Sequence, residues 1–335
     1  MKKCLELAKK GIGYVSPNPM VGCVVVCDDE IISEGYHQKY GTAHAEVNAI
    51  EGVKDKSLLE KSTLYINLEP CAHFGKTPPC TNLIIESKIP KVVIGSVDSY
   101  SEVSGKGIER IQNAGIEVIV GVLEKESREL NKRFFTFYEK NRPYIILKWA
   151  ESSDGFIAPK NQNKPFWMTS KKSKTLVHKW RSEEDAILVG RITSEKDNPS
   201  LTVREVSGSN PIRIIIDKNL KLSDDLNLFN SKAKTIIFNA MKSETIGTNQ
   251  FVKIDFNYLK ESILKELYKQ SIQSLIIEGG RITLQSFIDA NIWDEARIFT
   301  ANKTLAKGVK SPTIEGGIIS KDNIGEDELE ILCNE

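Results

Sequence analysis

Short runs of β-branched and aliphatic residues alternate with amphipathic stretches along the whole chain, and this alternation is typical of an α/β protein. In the first part it predicts strands at residues 21–27, 31–35, 63–68, 92–97 and 116–122. It also predicts helices at residues 1–11, 44–53, 80–87, 107–113 and 124–140. The aromatic end of the last helix favours packing against a neighbouring element or domain.

The pattern restarts at the Arg142-Pro143 pair, which favours extended backbone and predicts a domain boundary there. We therefore predict one domain over residues 1–142 and a second over 143–335. In the second domain the predicted strands are 144–150, 186–189, 212–216, 235–238 and 274–277, and the predicted helices are 171–180, 258–269 and 282–290. The charged run over 326–330 is expected to be a solvated end.

Composition narrows the class of protein. The chain has 335 residues, 40% of them hydrophobic and 27% charged, which is enough for two globular domains with their own cores. Residues 1–142 carry 19 basic and 19 acidic side chains, and residues 143–335 carry 27 and 26, so neither domain has the basic excess of a nucleic-acid-binding protein. No apolar run approaches the about 20 residues that span a bilayer, which predicts no membrane segment. Six cysteines without a secretory signal predict a reducing, cytoplasmic location.

Four residues of the first domain form a pattern with metal chemistry: His44, Glu46, Cys71 and Cys80. One imidazole and two thiolates suit Zn²⁺, and three protein ligands leave one position for water, as in catalytic rather than structural zinc sites. Cys80 opens a predicted helix behind Pro79, and a helix N-terminus stabilises a thiolate. Glu46 would not be a ligand. It would carry a proton from the attacking water to a departing amine, as in zinc deaminases with His-x-Glu followed by Pro-Cys.

Other interpretations of this pattern are open, namely a structural zinc, a non-catalytic zinc-binding regulatory module, or no metal and incidental cysteines. A zinc-dependent nucleic-acid base deaminase with an accessory domain is a further alternative. In such enzymes two residues separate the cysteines, whereas eight residues lie between Cys71 and Cys80. That alternative also requires a basic face, which the near-zero charge of both domains does not favour.

The two cysteines lie within a longer signature. The stretch from Leu68 to Cys80 reads Leu-Glu-Pro-Cys-Ala-His-Phe-Gly-Lys-Thr-Pro-Pro-Cys, and it resembles the deaminase half of the bifunctional riboflavin biosynthesis proteins, as do residues 18–22, 35–37 and 41–47. That family joins a diaminohydroxyphosphoribosylaminopyrimidine deaminase of cytidine-deaminase-like α/β/α fold to a 5-amino-6-(5-phosphoribosylamino)uracil reductase. The resemblance implies that Asn18 and His37 line the pyrimidine pocket and that Lys76 contacts the substrate. The family has an amide where this chain has Tyr100.

The second domain contains a strand, a glycine turn and a helix in succession, Ile-Ile-Glu-Gly-Gly-Arg-Ile-Thr over residues 276–283. Glycines let backbone amides approach an anion, and a helix N-terminus favours a phosphate. A plain connection between strand and helix has the same sequence pattern. No Gly-x-Gly-x-x-Gly fingerprint follows a strand in this domain, so a Rossmann dinucleotide site is not predicted.

Further segments of this domain occur in the same order as in the family's reductase, which resembles dihydrofolate reductase in its α/β fold and uses NADPH: 148–150, 167–170, 187–190 and 197–204. This resemblance implies that NADPH contacts Ala150, Trp167, Thr193, Asp197, Lys218, Gly280, Arg281, Ile282, Thr283, Leu284, Gln285 and Ser286. It implies that the ribosyl phosphate substrate meets Pro165, Arg181, Leu201, Arg204 and Glu278, with Lys148 or a water as the proton source. Ser153 and Pro165 depart from the residues that are usual in the family.

Together the two resemblances predict a fused enzyme for two successive steps of flavin synthesis. The first domain would hydrolyse the exocyclic 2-amino group of 2,5-diamino-6-ribosylamino-4(3H)-pyrimidinone 5′-phosphate with the help of Zn²⁺. The second would reduce the ribosyl group of the product to ribityl with NADPH. The expected partners are small phosphoribosyl pyrimidines rather than nucleic acid or membrane, and the expected assembly is a homo-oligomer.

Overall fold

The structure is a computed structural model that describes residues 1–74, 78–101, 103–160 and 166–334. The backbone divides into two compact units, Met1–Asn141 and Arg142–Glu335. The helices of the first unit are α1 (Lys2–Ala8), α2 (Ala45–Gly52), α3 (Cys80–Glu86), α4 (Lys106–Asn113), α5 (Glu124–Leu130) and α6 (Lys132–Lys140). Its strands are β1 (Gly22–Cys27), β2 (Glu30–Tyr36), β3 (Thr63–Leu68), β4 (Lys91–Ser96) and β5 (Glu117–Val120).

The strands of the first unit form a sheet in the order β2-β1-β3-β4-β5. Strand β1 pairs antiparallel with β2 and β3, whereas β3, β4 and β5 run parallel. Helices α2, α3 and α4 pack on the face that presents Cys23, Val25 and Ile94, while α1 packs against Val24 on the other face. Helices on both faces of a partly parallel sheet give the α/β layering that the alternating pattern predicts.

The predicted single helix over 124–140 is wrong, because the chain breaks there into α5 and α6. Asn131 lies at the break with non-helical φ and ψ of −102° and 24°. Its buried side chain accepts a hydrogen bond from the Met20 backbone N–H (2.8 Å) and donates one to the Met20 carbonyl (2.9 Å). These two bonds replace the local helical geometry and fix the loop that precedes β1.

The second unit contains helices α7 (Lys171–Glu183), α8 (Arg191–Asp197), α9 (Leu259–Lys269) and α10 (Arg281–Asp289). Its strands are β6 (Tyr144–Ser152), β7 (Phe156–Pro159), β8 (Ala186–Gly190), β9 (Ile212–Ile216), β10 (Thr235–Asn239), β11 (Glu244–Ile246), β12 (Asn249–Lys253), β13 (Ser274–Ile277), β14 (Glu295–Ala301), β15 (Gly308–Lys310), β16 (Gly317–Ile324) and β17 (Asp327–Cys333). The main sheet has the order β11-β12-β10-β9-β8-β13-β6-β14-β17-β16, and β7 pairs with β15 separately.

The seven neighbouring strands from β12 to β14 in the main sheet, as far as it is described, all run parallel. Alternate residues of β6 enter different cores: Ile145 and Leu147 pack with α9 and α10, whereas Ile146 packs with α7. Because these strands are parallel, the carboxyl ends of β6, β8, β9 and β13 lie at the same edge of the sheet. This is the edge at which ligands bind in open α/β sheets.

The charged run over 326–330 is not a solvated end, so that prediction is wrong. Residues 327–330 form the first part of β17, which pairs with both β14 and β16, and Glu326 lies in the turn before this strand. Asp327 is buried and accepts hydrogen bonds from the Ser170 backbone N–H (2.8 Å) and the Ser173 hydroxyl (2.5 Å) at the start of α7. A carboxylate at a helix N-terminus is stabilised there, which explains a buried acid in a charged segment.

None of the helices in the described part of the chain combines the length and the apolar character that crossing a bilayer requires.

Candidate active sites

Three predicted metal ligands from separate elements converge in the first unit. His44 is the N-cap of α2, Cys71 lies in the loop after β3, and Cys80 is the first residue of α3. The His44 Nδ1 atom lies 3.6 Å from Cys71 Sγ and 3.3 Å from Cys80 Sγ, and the three ligand atoms are all within 4.8 Å of one another. The fold thus assembles one nitrogen and two sulfur donors around a single point.

The donor set fits Zn²⁺ in both geometry and charge. Bonds of about 2.1 Å to nitrogen and about 2.3 Å to sulfur at tetrahedral angles separate N and S by roughly 3.6 Å. The Cys80 backbone N–H donates to Cys71 Sγ at 3.3 Å. Hydrogen bonds from Cys80 and His44 lower the pKa of the Cys71 thiol to about 4, whereas the contact with Cys71 and burial raise the pKa of Cys80, so the two cysteines together carry one thiolate at neutral pH. His44, Cys71 and Cys80 would therefore hold the metal.

Glu46 lies beside this cluster, one residue inside α2, and its side chain is buried. Burial raises the pKa of Glu46 to about 7, and the nearby charge of Cys71 adds to the shift. Glu46, His44 and Cys71 line a cavity of about 330 Å³. A buried carboxyl and two of the proposed metal ligands therefore line one cavity.

Asn18 and His37, both predicted to contact the pyrimidine, line the same cavity and are hydrogen-bonded to each other. His37 Nδ1 lies 3.0 Å from the Ala43 carbonyl, and Nε2 lies 3.1 Å from Asn18 Nδ2. Burial lowers the pKa of His37. These contacts assign a neutral ring that donates from Nδ1 and accepts the Asn18 amide at Nε2. The predicted contact of Lys76 lies outside the described residues.

A second cavity, of about 1020 Å³, lies at the carboxyl edge of the sheet in the second unit. Most of the residues predicted to contact NADPH line it: Ala150, Trp167, Thr193, Asp197, Lys218, Gly280, Arg281, Ile282, Thr283, Leu284 and Ser286. Gln285 is not among the lining residues. It donates to the Thr313 carbonyl (3.1 Å) and accepts the Thr313 backbone N–H (2.9 Å) on another side of α10.

The Gly279-Gly280 turn between β13 and α10 forms part of the wall of this second cavity. A Cβ on Gly279 would lie 2.5 Å from the Cα of Val189, and Gly280 has a positive φ of 66°. Neither glycine places a side chain of its own at the start of α10, and the Thr193 hydroxyl lies 3.0 Å from the position that a Cβ on Gly280 would take. Such a turn fits the phosphate groups of a dinucleotide, and the cavity volume fits a large ligand.

The residues predicted to bind the ribosyl phosphate also line the second cavity: Lys148, Arg181, Leu201, Arg204 and Glu278. Arg181 Nη2 donates to Glu278 Oε2 at 2.7 Å, and both side chains are largely buried. Burial opposes the ionisation of Glu278, but Arg181 and Lys148 together hold its pKa below the ordinary value. Burial lowers the pKa of Lys148. The predicted contact of Pro165 lies outside the described residues.

Comparisons with known proteins match both units. Residues 143–330 match the family model described as the RibD C-terminal domain, and residues 1–96 match the cytidine and deoxycytidylate deaminase zinc-binding region. A riboflavin biosynthesis protein RibD from Aquifex aeolicus is 44% identical, over 92% of this chain and 88% of that protein. The crystal structure of a diaminohydroxyphosphoribosylaminopyrimidine deaminase/5-amino-6-(5-phosphoribosylamino)uracil reductase from Thermotoga maritima superposes with a TM-score of 0.91 at 39% identity, covering 100% of this chain and 97% of that one. Acinetobacter baumannii RibD gives a TM-score of 0.90 at 29% identity, covering 99% and 97%.

The chain belongs to the RibD family of riboflavin biosynthesis proteins.

Membership in the RibD family confirms the predicted fold class and function. The first unit is a cytidine-deaminase-like domain and the second is a RibD reductase domain of dihydrofolate-reductase-like α/β fold. The chain is a bifunctional enzyme of riboflavin biosynthesis, a zinc deaminase fused to an NADPH-dependent reductase that acts on small molecules. The two predicted cofactors, Zn²⁺ and NADPH, are those of the RibD domains that match.

The sequence analysis did not identify Glu69, which holds several backbone N–H groups of the deaminase unit of this RibD chain. Its buried carboxylate accepts hydrogen bonds from the backbone N–H groups of Asp98 (3.2 Å), Gly105 (3.0 Å), Gly107 (2.9 Å) and Ile108 (3.2 Å). These bonds fix the start of α4 and the loop that follows β4. An acid directly before Pro-Cys, at the end of a buried strand, is the signal that points to such a role.

Tyr100, where the RibD family has an amide, forms part of an aromatic wall of the deaminase cavity. Its ring lies 4.9 Å from that of Tyr138 and 5.9 Å from that of His73, and Tyr138 lies 4.8 Å from Phe134. The aromatic end of the predicted helix thus packs inside the unit and faces the cavity. An aromatic wall suits one side of a pyrimidine ring.

We expect Gly279→Ala to weaken NADPH binding and to destabilise the second unit. The added methyl would collide with the Val189 backbone, and this overpacking costs about 1–3 kcal/mol of unfolding free energy. The forced shift would displace the turn that leads into α10. Urea unfolding and NADPH titration by fluorescence measure the two effects.

The matched control for this glycine is Gly247→Ala. Gly247 has a φ of +60° and nothing within 4 Å of its Cβ position, so the substitution costs about 1–2 kcal/mol through backbone strain alone. It should leave the NADPH dissociation constant unchanged. An unchanged NADPH affinity in Gly279→Ala would contradict the role of the turn in cofactor binding.

Proposed function

We propose that the first unit hydrolyses the exocyclic 2-amino group of 2,5-diamino-6-ribosylamino-4(3H)-pyrimidinone 5′-phosphate and that the second reduces the ribosyl group of the product to ribityl. The observation that carries this proposal is the cavity in which Glu46 lies beside His44 and Cys71, with Cys80 completing the donor set. The Thermotoga maritima relative is described by the same pair of activities.

In the deaminase step, His44, Cys71 and Cys80 would hold Zn²⁺, which would supply Lewis acidity for the activation of water. Glu46 takes a proton from the attacking water and gives it to the departing amine, so that a C–O bond forms, the C–N bond breaks and ammonia leaves. The burial of Glu46 excludes competing water from this proton path. Its position one residue inside α2 holds it next to the ligand His44.

Asn18 and His37 position the pyrimidine in this proposal. The neutral His37 ring is held by Ala43 and accepts the Asn18 NH₂ group, so the amide cannot rotate freely. Asn18 Oδ1 is then offered as an acceptor for a ring N–H or amino group of the substrate. Lys76 is proposed to contact the substrate through its charge.

In the reductase step, NADPH bound at the second cavity supplies a hydride. The residues proposed to hold the cofactor are Ala150, Trp167, Thr193, Asp197, Lys218 and the segment Gly280, Arg281, Ile282, Thr283, Leu284, Gln285 and Ser286. Of these, the Gly280 turn receives phosphate at the start of α10. The walls of the cavity then bring the nicotinamide to the opened ribosyl group.

Arg181, Arg204 and Glu278 bind the ribosyl phosphate substrate in this proposal, with Leu201 and Pro165 as further contacts. Two guanidinium groups offer planar donors for a phosphate, and Glu278 compensates part of their charge. Lys148 is the proposed source of the proton that the oxygen of the opened ribosyl ring takes up, while the carbon receives the hydride. Its buried ammonium has a lowered pKa, which makes it a better acid than an exposed lysine.

A homo-oligomer in the cytoplasm, without nucleic acid, is the remaining part of the proposal. The six cysteines are all free, which fits a reducing compartment, and the net charge of +1 gives no overall basic excess. In the described part of the main sheet of the second unit, β16 is the last strand, and it exposes Ile318 and Ile319. An exposed apolar edge strand favours association with another chain. Sedimentation velocity measures the assembly directly.

The test of the two activities uses the zinc-loaded protein and the diaminopyrimidinone phosphate in one cuvette. Ammonia release alone is expected without NADPH, and addition of NADPH should then consume one equivalent for each ammonia released. Ammonia without any NADPH oxidation would contradict the reductase assignment. NADPH oxidation that precedes ammonia release would contradict the proposed order of the two steps.

A further inference from the structure

His178 has no role in the mechanism above, yet it lies in the wall of the reductase cavity and is buried to 1% exposure. It is on α7, three residues before Arg181, so both side chains project from the same side of the helix. Its Nδ1 atom accepts the backbone N–H of Arg204 at 3.0 Å. A helix that carries one of the two arginines thus also holds the loop that carries the other.

The hydrogen bond at Nδ1 requires this nitrogen to be unprotonated, because a backbone N–H can only donate. Burial lowers the pKa of His178 to about 4, and the neighbouring charges of Arg181 and Arg204 act in the same direction. Glu205 opposes this shift, but Lys174 pairs with Glu205 at 2.6 Å. The imidazole is therefore neutral at physiological pH, and the bond to Arg204 is permanent.

Arg204 is held through its guanidinium group as well as through its backbone. Its Nη1 atom donates to Thr202 Oγ1 at 2.8 Å and to the Thr202 carbonyl at 3.3 Å. Arg181 is close enough to lower the pKa of Arg204 after the effect of burial. Two guanidinium groups held near each other in a cavity repel, and an anion between them relieves that repulsion.

The charge of the pair is only partly compensated within the described part of the chain. Glu278 accepts from Arg181 Nη2, while Arg181 Nε is buried without a hydrogen-bond partner among the described residues. Buried donors of this kind are costly unless a ligand satisfies them. The geometry thus presents two fixed arginines to an anion that enters this end of the cavity.

We propose that His178 is a positioning residue for substrate binding in the reductase step: its neutral ring holds the backbone of Arg204 so that the two arginines together receive the phosphate group. The proposal rests on the proposed function, in which Arg181 and Arg204 bind the ribosyl phosphate. It adds that the geometry of Arg204, and with it the affinity for phosphate, depends on an acceptor at the Nδ1 position. NADPH binding and hydride transfer do not depend on this acceptor.

The test compares two amide variants that differ in where they place an acceptor. His178→Asn puts Oδ1 close to the position of Nδ1, whereas His178→Gln places its polar atoms further out, near Nε2. We expect His178→Gln to raise the KM for the ribosyl phosphate about tenfold, and the inhibition constant of inorganic phosphate by a similar factor, as loss of one hydrogen bond does. We expect kcat and the NADPH dissociation constant to change by less than about twofold, and His178→Asn to restore most of the affinity.

Controls separate this proposal from the one on which it rests. Lys179→Gln changes an exposed residue of the same helix and should leave all four quantities unchanged. If Arg204→Gln leaves the KM and the phosphate inhibition constant at their original values, the proposed phosphate site itself fails. If Arg204→Gln raises both while the Asn and Gln variants of His178 behave alike, or lose kcat or stability with KM unchanged, only the role of His178 is overturned.

Discussion

Glu46→Gln is expected to reduce the rate of ammonia release by about 10² to 10⁴-fold, the range for loss of a general acid–base group. Glutamine keeps the size and polarity of the side chain but cannot take a proton from water and deliver it to the departing amine. The zinc content should stay at one ion per chain, because Glu46 is not among the three donors. Ammonia release is measured with the zinc-loaded variant, and zinc by atomic absorption.

The control for this substitution is Glu51→Gln, at the exposed end of the same helix, which should release ammonia at the original rate. NADPH oxidation by the Glu46 variant should also be unchanged when the deaminated substrate is supplied directly. Ammonia release at more than about a tenth of the original rate would show that another group transfers the proton.

Cys80→Ala is expected to weaken zinc binding by more than about 100-fold and to abolish ammonia release with it. Cys80 supplies one of the two sulfur donors, and its backbone N–H donates to the other. Two remaining ligands, His44 and Cys71, cannot complete a tetrahedral site. Dialysis against a chelator followed by metal analysis measures the loss, and NADPH oxidation with the deaminated substrate should persist.

Cys27→Ala provides the matched control, because it removes a buried thiol of the same unit at the end of β1, outside the group of donors. It should keep one zinc per chain and the original rate of ammonia release. A full zinc content in Cys80→Ala after dialysis would overturn the assignment of the metal site to His44, Cys71 and Cys80.

The order of strands and helices was largely predictable, because a buried strand or helix face requires apolar residues at a regular spacing in the sequence. Alternate residues of β6 enter two different cores, and such strands read as continuous apolar runs bounded by turns. Two predictions failed where a single polar residue finds a distant partner. Asn131 interrupts a helix to bind the Met20 backbone, and Asp327 is buried because it meets the start of α7. Neither partner lies nearby in the sequence.

The zinc donors could be proposed from residue chemistry alone, since few other patterns combine His-x-Glu with two suitably placed cysteines. The partners of Glu69 and His178 could not be found in this way, although the position of Glu69 before Pro-Cys is itself a signal. Each acts on backbone N–H groups far along the chain, and this partnership exists only in the folded state. Helix geometry explains why Gln285 does not line the second cavity although its neighbours do. Successive residues of a helix point in different directions, so a contiguous segment cannot place every side chain in one cavity.

The bond from Asp327 to the start of α7 links the last strand to the helix that carries His178 and Arg181. A truncation from Gly325 onward would remove this carboxylate together with β17, although neither lines the reductase cavity. We therefore expect the start of β17, which lies outside the cavity, to stabilise the side of α7 that is proposed to bind the substrate.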